Sequence, residues 1–454
     1  GAPAIVRAAD QVTFKRGDKP RHIIHLVSDG MSPATLTCAD HLSTYCRQRG
    51  LTWLKLMERP EAANGLMNTR SLNSLVTDSS AASSAWGSGS RVVNGAINVL
   101  PDGRKLRTLY DLFGEAGWKR GLVTTVEITH ATPAGFAVSL NSRNTTDDIV
   151  KQYFDKRIEV LLGGGRVFFD PRTRKDKRDL REEFAKAGYA VLDARAALMA
   201  APIDQLWLGT FERSHLPFTV DHQNDEKLKA RVPTLAEMTS AALRRLERES
   251  HFILQVEAGR VDQAAHLNDA AGTFFDQIAF DEAIDVCVEF QSRQPDTLIV
   301  VTSDHGTANP GLNGAGSNYN QSIPLMKNVA KSRQSFAELI KRITGMVDFD
   351  GEAYKDANQD SKRQLNAEQV IELIQAATDY KPSVRRATKL CEFFAKKGDA
   401  LYELMNSGTA QLGQLLGNHL GVGWTSLNHT SDHVPLLAVG PGAERFQGYI
   451  QNVD

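Results

Sequence analysis

Oxygen and imidazole side chains that recur just past apolar runs are the part of this sequence best equipped for chemistry. Asp29 closes the run that begins at His22. Glu257, Asp262 and His266 follow Phe252 to Val256. Asp304 and His305 follow Thr297 to Thr302, and His429 lies between Asn428 and Thr430. Thr77, Asp78, Ser79 and Ser80 open a run of small residues. Hard oxygen donors, imidazoles and a hydroxyl nucleophile are what a two-metal phosphoryl-transfer site requires. Each group alone has a plainer reading. Asp262 and His266 at i and i+4 share one helix face, as ligands must, but so do the partners of an ordinary ion pair. Asp78 or Ser79 could simply cap a helix, Arg143 could be a surface residue, and His130 and Thr132 could be turn residues before Pro133. The recurrence of ligand types after strands is what an ordinary solvated surface does not explain.

These positions call for a scaffold that ends several strands at one edge. Ile23 to Val27, Arg120 to Val126, Val160 to Gly165, Phe252 to Val256, Thr297 to Thr302 and Pro435 to Val439 read as buried strands, the last of these being the final strand. Helical stretches such as Asp40 to Leu56 and Leu109 to Ala116 lie between them. Continuous apolar strands alternating with amphipathic helices imply an α/β fold, a large, mostly parallel central sheet flanked by helices on both faces. Ligands in such sheets sit beyond the carboxyl ends of the strands, where Asp29, Glu257 and Asp304 fall. The expectation is a single catalytic domain over 1–454. The 309–420 stretch, poor in strands, reads as a helical insertion in it. Asp356, Asn358 and Asp360 resemble the start of an EF-hand loop, but Ser361 replaces the glycine and Glu368 falls one place late, so a solvated loop is the expectation.

Composition narrows the classes further. The formal net charge of -1 offers no basic field for nucleic acid as a specific ligand. No stretch approaches the roughly 18 apolar residues of a membrane span. The 4 cysteines, Cys38, Cys46, Cys287 and Cys391, form no Cys-x-x-Cys pair, so a thiolate metal site is not expected. Cys38 and Cys46 would be about 12 Å apart along a helix, too far for a disulfide.

Taken in order, the motifs around Asp29, Asp78–Ser79 with Trp86, His130–Thr132 with Arg143, Glu257–Asp262 with His266, Asp304–His305, and His429 resemble those of the alkaline phosphatases. The resemblance implies a metal-dependent phosphomonoesterase with a phosphoserine intermediate and an alkaline pH optimum. It implies two zinc ions, one held by Asp262, His266 and His429, the other by Asp29, Asp304 and His305 beside the nucleophile Ser79. A third site, for magnesium or zinc, would use Asp29, Thr132 and Glu257. Arg143 would hold two phosphate oxygens and be oriented by Asp78. The same resemblance implies small phosphate monoesters as substrates, inorganic phosphate as product inhibitor, a homodimer, and a periplasmic or secreted location.

The chain departs from some relatives at His130 and Gln263, where they carry Asp and Lys. His130 could ligate the third metal directly. Gln263 could hydrogen-bond phosphate without adding charge, so phosphate should be held less tightly than by a Lys. Thr307 stands where some relatives have a His, and His433 is an additional imidazole near His429, to be placed near the metals or at the surface. The alternatives are a phosphodiesterase or sulfatase of the same superfamily, or a homologue that binds metal without turnover. A sulfatase would carry a Cys- or Ser-x-Pro-x-Arg motif, which the residues from Thr77 to Ala81 do not match.

Overall fold

The structure is a computed structural model and describes residues 19–314, 319–344, 365–395 and 400–454. Residues 356–361 lie outside the described residues; Glu368 lies in the helix Ala367–Thr378.

A 10-stranded sheet forms the centre of the fold. In chain order the strands are β1 His22–Ser28, β2 Ala63–Asn68, β3 Lys119–Glu127, β4 Val160–Gly164, β5 Tyr189–Leu192, β6 Leu206–Thr210, β7 Phe252–Ala258 and β8 Thr297–Thr302. There follow the two-residue pieces β9 Gly306–Thr307, β10 Gly311–Leu312, β11 Val422–Gly423 and β12 His429–Thr430, then β13 Val434–Val439 and β14 Gly448–Gln451. Sheet order is β14-β2-β13-β8-β1-β7-β3-β4-β6-β5, with β10 paired to β11 and β12 to β9 outside it. The strands from β8 through β5 pair in parallel, and β13 alone runs antiparallel to its neighbours β8 and β2. β7 and β8 are buried on both faces, and β1 is buried or half-buried along its length, because helices cover both faces of the sheet.

Several local readings change. The helical stretch begins at Pro33, whose fixed φ suits a first turn, and breaks at Gln48 in the left-handed region before Thr52–Met57 resumes. β13 is not the last strand, since β14 adds to the edge of β2 in parallel. β2, β5, β6 and β14 were absent from the sequence reading. β5 and β6 are apolar but only 4 and 5 residues long, and β2 and β14 mix polar with apolar residues and are exposed in part.

The registers align the chemistry. Val27 pairs with Glu257 on one side and Thr302 on the other, so Asp29, Glu257 and Asp304 leave three adjacent strands at the same edge. β12 places His429 opposite Thr307, two residues past His305. The helices Ser79–Ser88 and Ala131–Ala137 touch backbone to backbone. A Cβ on Gly87 would strike the Gly135 carbonyl, and one on Gly135 would strike Ser83.

Candidate active site

Three groups of ligand-type side chains stand at this edge: Asp262, His266 and His429; Asp29, Asp304 and His305; Asp29, His130 and Glu257. The first comes from the helix Arg260–His266 and from β12. His266 Nδ1 lies 2.5 Å from the Leu427 carbonyl and His429 Nδ1 lies 2.9 Å from that of Thr77. A carbonyl only accepts, so each Nδ1 carries a proton and each ring turns its Nε2 inward. Those atoms are 3.1 Å apart, with the Asp262 carboxylate 3.3 and 3.7 Å away. Burial, then the nearby His305, pushes the His429 pKa down to about 3, which keeps the ring neutral. Two imidazole Nε2 atoms and a carboxylate converging on one point are the ligand types of a cation site.

The second group is fully buried. His305 Nε2 lies 3.1 Å from Asp304 Oδ2 and 3.6 Å from Asp29 Oδ1, and neither of those oxygens has a hydrogen-bond partner. Asp304 Oδ1 is satisfied by the Gly30 and His305 N–H groups. Gly30 must be glycine: its φ is +69° and a Cβ would collide with the Asp262 carboxylate. Ser79 Oγ is 3.2 Å from His305 Nε2. Burial, then the carboxylates of Asp304, Asp262 and Glu257, drives the Asp29 carboxyl well above its ordinary range. Such crowded acid in a dry site calls for positive charge.

In the third group His130 Nδ1 is 3.6 Å from Glu257 Oε1 and 3.8 Å from Asp29 Oδ2, and Thr132 Oγ1 is 3.5 Å from Asp29 Oδ2. Both Glu257 Oε1 and His130 Nδ1 are buried without a hydrogen-bond partner. The segment read as a turn is a helix N-terminus: His130 is the N-cap of Ala131–Ala137, and Pro133 sits in the first turn, where its missing N–H costs nothing.

Ser79 is the first residue of its helix, aimed by the N-cap Asp78, whose Oδ1 accepts from the Ala81 N–H at 2.9 Å. Asp78 Oδ2 accepts from Ser80 Oγ, the Gly95 N–H and, at 3.4 Å, Arg143 Nη1. Burial works against its charge, but Arg143 and these donors outweigh burial and hold Asp78 below the usual carboxylate range. Arg143 Nη2 lies 3.1 Å from His130 Nε2. Gln263 sits between Arg260 and His215. The candidate catalytic, metal-ligating and phosphate-binding residues named from the sequence are all at this edge. His433 is not: it is exposed, against the Tyr449 ring.

Thr124, Arg260 and His215 carry no sequence signal of their own, and Thr307 shows only as a departure from relatives that have a His there. Thr124 donates to Glu257 Oε2 at 2.5 Å from the neighbouring strand. Thr307 Oγ1 donates to Asp262 Oδ1 at 2.5 Å and lies 3.3 Å from His305 Nδ1, joining two groups. Arg260 is buried and His215 half-buried beside Gln263. Only the fold makes these residues neighbours.

The alkaline phosphatase family model matches residues 20–454. Alkaline phosphatase 3 of Bacillus subtilis is 31% identical over 96% of this chain and 87% of its own. Alkaline phosphatase 4 of the same organism is 29% identical over 100% of this chain and 91% of its own. The crystal structure of Thermus thermophilus alkaline phosphatase superposes with a TM-score of 0.85 at 33% identity, covering 99% of this chain and 93% of that one. The chain therefore belongs to the alkaline phosphatase family and is a metal-binding phosphomonoesterase.

Proposed function

We propose that the protein hydrolyses small phosphate monoesters through a phosphoserine at Ser79, with zinc on Asp262, His266 and His429, zinc on Asp29, Asp304 and His305, and magnesium on Asp29, Thr132 and Glu257. The observation that carries this is the Ser79 hydroxyl, whose Oγ lies 3.2 Å from Nε2 of the buried His305, beside Asp29 Oδ1 and Asp304 Oδ2, which have no hydrogen-bond partner. Bound there, the metals would acidify the attacking hydroxyl and stabilise the departing alkoxide, an arrangement for which phosphatases are a standard case.

Ser79 Oγ attacks phosphorus and loses its proton as the ester P–O bond breaks and the alcohol departs. Water then cleaves the phosphoserine and frees inorganic phosphate. Arg143 pairs with two non-bridging oxygens through its planar fork, and Asp78 holds that fork in position. For the third ion, oxygen donors favour magnesium. Zinc on His130 Nδ1 would leave the ring proton on Nε2, against the Arg143 N–H. The reading includes an alkaline pH optimum, product inhibition by phosphate, a homodimer, and a periplasmic or secreted location. It treats 1–454 as one catalytic unit, with 309–420 a helical insertion.

The test is p-nitrophenyl phosphate hydrolysis from neutral to strongly alkaline pH, on metal-stripped protein re-supplied with zinc, magnesium or both. Recovery that requires zinc, rises with magnesium and peaks at alkaline pH supports the reading. Hydrolysis of bis-p-nitrophenyl phosphate in its place would indicate a diesterase.

A further inference from the structure

We propose that Arg260 is a positioning residue for phosphate: its guanidinium fixes the orientation of the Gln263 carboxamide, so that an amide N–H rather than the carbonyl oxygen meets the anion. This rests on Gln263 binding phosphate, the role that the family resemblance implies for it.

Arg260 opens the helix that carries Asp262, Gln263 and His266. Its Cζ lies 3.5 Å from the centroid of the Phe218 ring, and its Nη1 donates to Gln263 Oε1. Both side chains are almost wholly buried. A guanidinium has no acceptor, so the carboxamide must turn its oxygen to Arg260. Its nitrogen then faces His215 Nε2 at 2.9 Å. An amide nitrogen has two hydrogens; His215 takes one, and the other remains for an anion.

A neutral imidazole accepts at one nitrogen only, so a carboxamide that donates to His215 Nε2 leaves the ring proton on Nδ1, and the 3.3 Å approach of the Glu127 backbone N–H to Nδ1 is then a contact rather than a hydrogen bond. An amide flip is nearly isosteric, so packing does not choose between the two orientations. Arg260 does. Burial, followed by the Arg260 charge, holds the His215 pKa well below its ordinary value, which keeps the ring able to accept. Without the guanidinium the carboxamide is free to turn over, and a carbonyl lone pair would then repel phosphate.

The experiment measures kcat and KM for p-nitrophenyl phosphate and the Ki of inorganic phosphate. It uses the zinc- and magnesium-loaded parent, R260M, R260K, Q263A and R260M/Q263A, with melting temperature and metal content recorded for each. R260M and Q263A should each raise Ki and KM together by about tenfold, the scale of a hydrogen bond to a charged group, with kcat changed far less. The double variant should be no worse than Q263A. R260K keeps a donor to Oε1 and should restore Ki to within about threefold of the parent. Multiplying effects in the double variant, or an R260M Ki equal to the parent's while Q263A is impaired, overturns the proposal. If R260M melts early or loses metal, R260K decides: a Ki as high as that of Q263A also overturns it. A Q263A protein with parental Ki and KM removes Gln263 from phosphate binding, and the proposal falls with it, while the nucleophile and metal assignments stand.

Discussion

Ser79 and Ser80 differ in what already holds their hydroxyls. Ser80 Oγ donates to Asp78 Oδ2 at 2.7 Å, whereas Ser79 Oγ faces His305. Ser79→Ala is expected to lower kcat by about a thousandfold or more, as loss of a nucleophile does, with metal content by elemental analysis unchanged. Parental activity in that variant would transfer the role to Ser80. Thr307 makes a subtler prediction. Its hydroxyl supports both Asp262 and His305. Thr307→Val should weaken metal retention by about 10- to 100-fold in a chelator competition, the usual effect of losing a partner to a ligand.

At the scale of elements, the site depends on how closely two helices approach. The Ser79 helix and the helix capped by His130 touch through Gly87 and Gly135, where neither admits a Cβ against the other's backbone. Gly87→Ala would push the helices apart, carrying Ser79 from Arg143 and the third metal group. We expect a loss of about 1–3 kcal/mol in stability from overpacking, read by thermal unfolding, and a fall in kcat/KM with metals at saturation. Unchanged melting and unchanged kinetics would mean the interface yields without cost. The small residues from Ser79 to Ala85 announced a helix start in the sequence. The partner for their smallness was invisible, because Gly135 lies far along the chain and only packing joins the two. Likewise the residues around Pro133 read as a turn, since proline is a helix breaker everywhere but the first turn.

Across the whole molecule, buried acids couple stability to pH. Burial raises Asp221 to about 6 and Asp269 and Asp276 to about 7. Each keeps its proton in the folded chain after the unfolded chain has released it. Their contribution is therefore complete below the ordinary carboxylate pKa and is lost as pH rises toward 7, with a slope of at most about 1.4 kcal/mol per pH unit per group. Asp276 accepts from Thr219 at both oxygens, and an amide can accept from the Thr219 N–H while donating to its hydroxyl. Asp276→Asn should thus flatten the decline in melting temperature between about pH 4 and 7. An identical pH profile in that variant would show that Asp276 ionises normally. Metal removal should also lower the melting temperature, because ligand bound only to the folded state stabilises by about 2.7 kcal/mol at a hundredfold excess over Kd.

The sequence by itself determined the strand-end ligand types, the parallel α/β architecture and the family. Apolar runs bury themselves in continuous strands, and residues just past them must emerge at one edge. Tertiary structure alone decided the pairings. The backbone carbonyls of Leu427 and Thr77 turn the two histidine Nε2 atoms inward, and strand register puts Thr124 against Glu257. β12 pairing brings His429 beside Thr307. Arg260, not Gln263 alone, fixes which atom of the carboxamide meets His215. Side-chain types are local information, but proton positions and hydrogen-bond partners depend on neighbours that only the folded chain assembles.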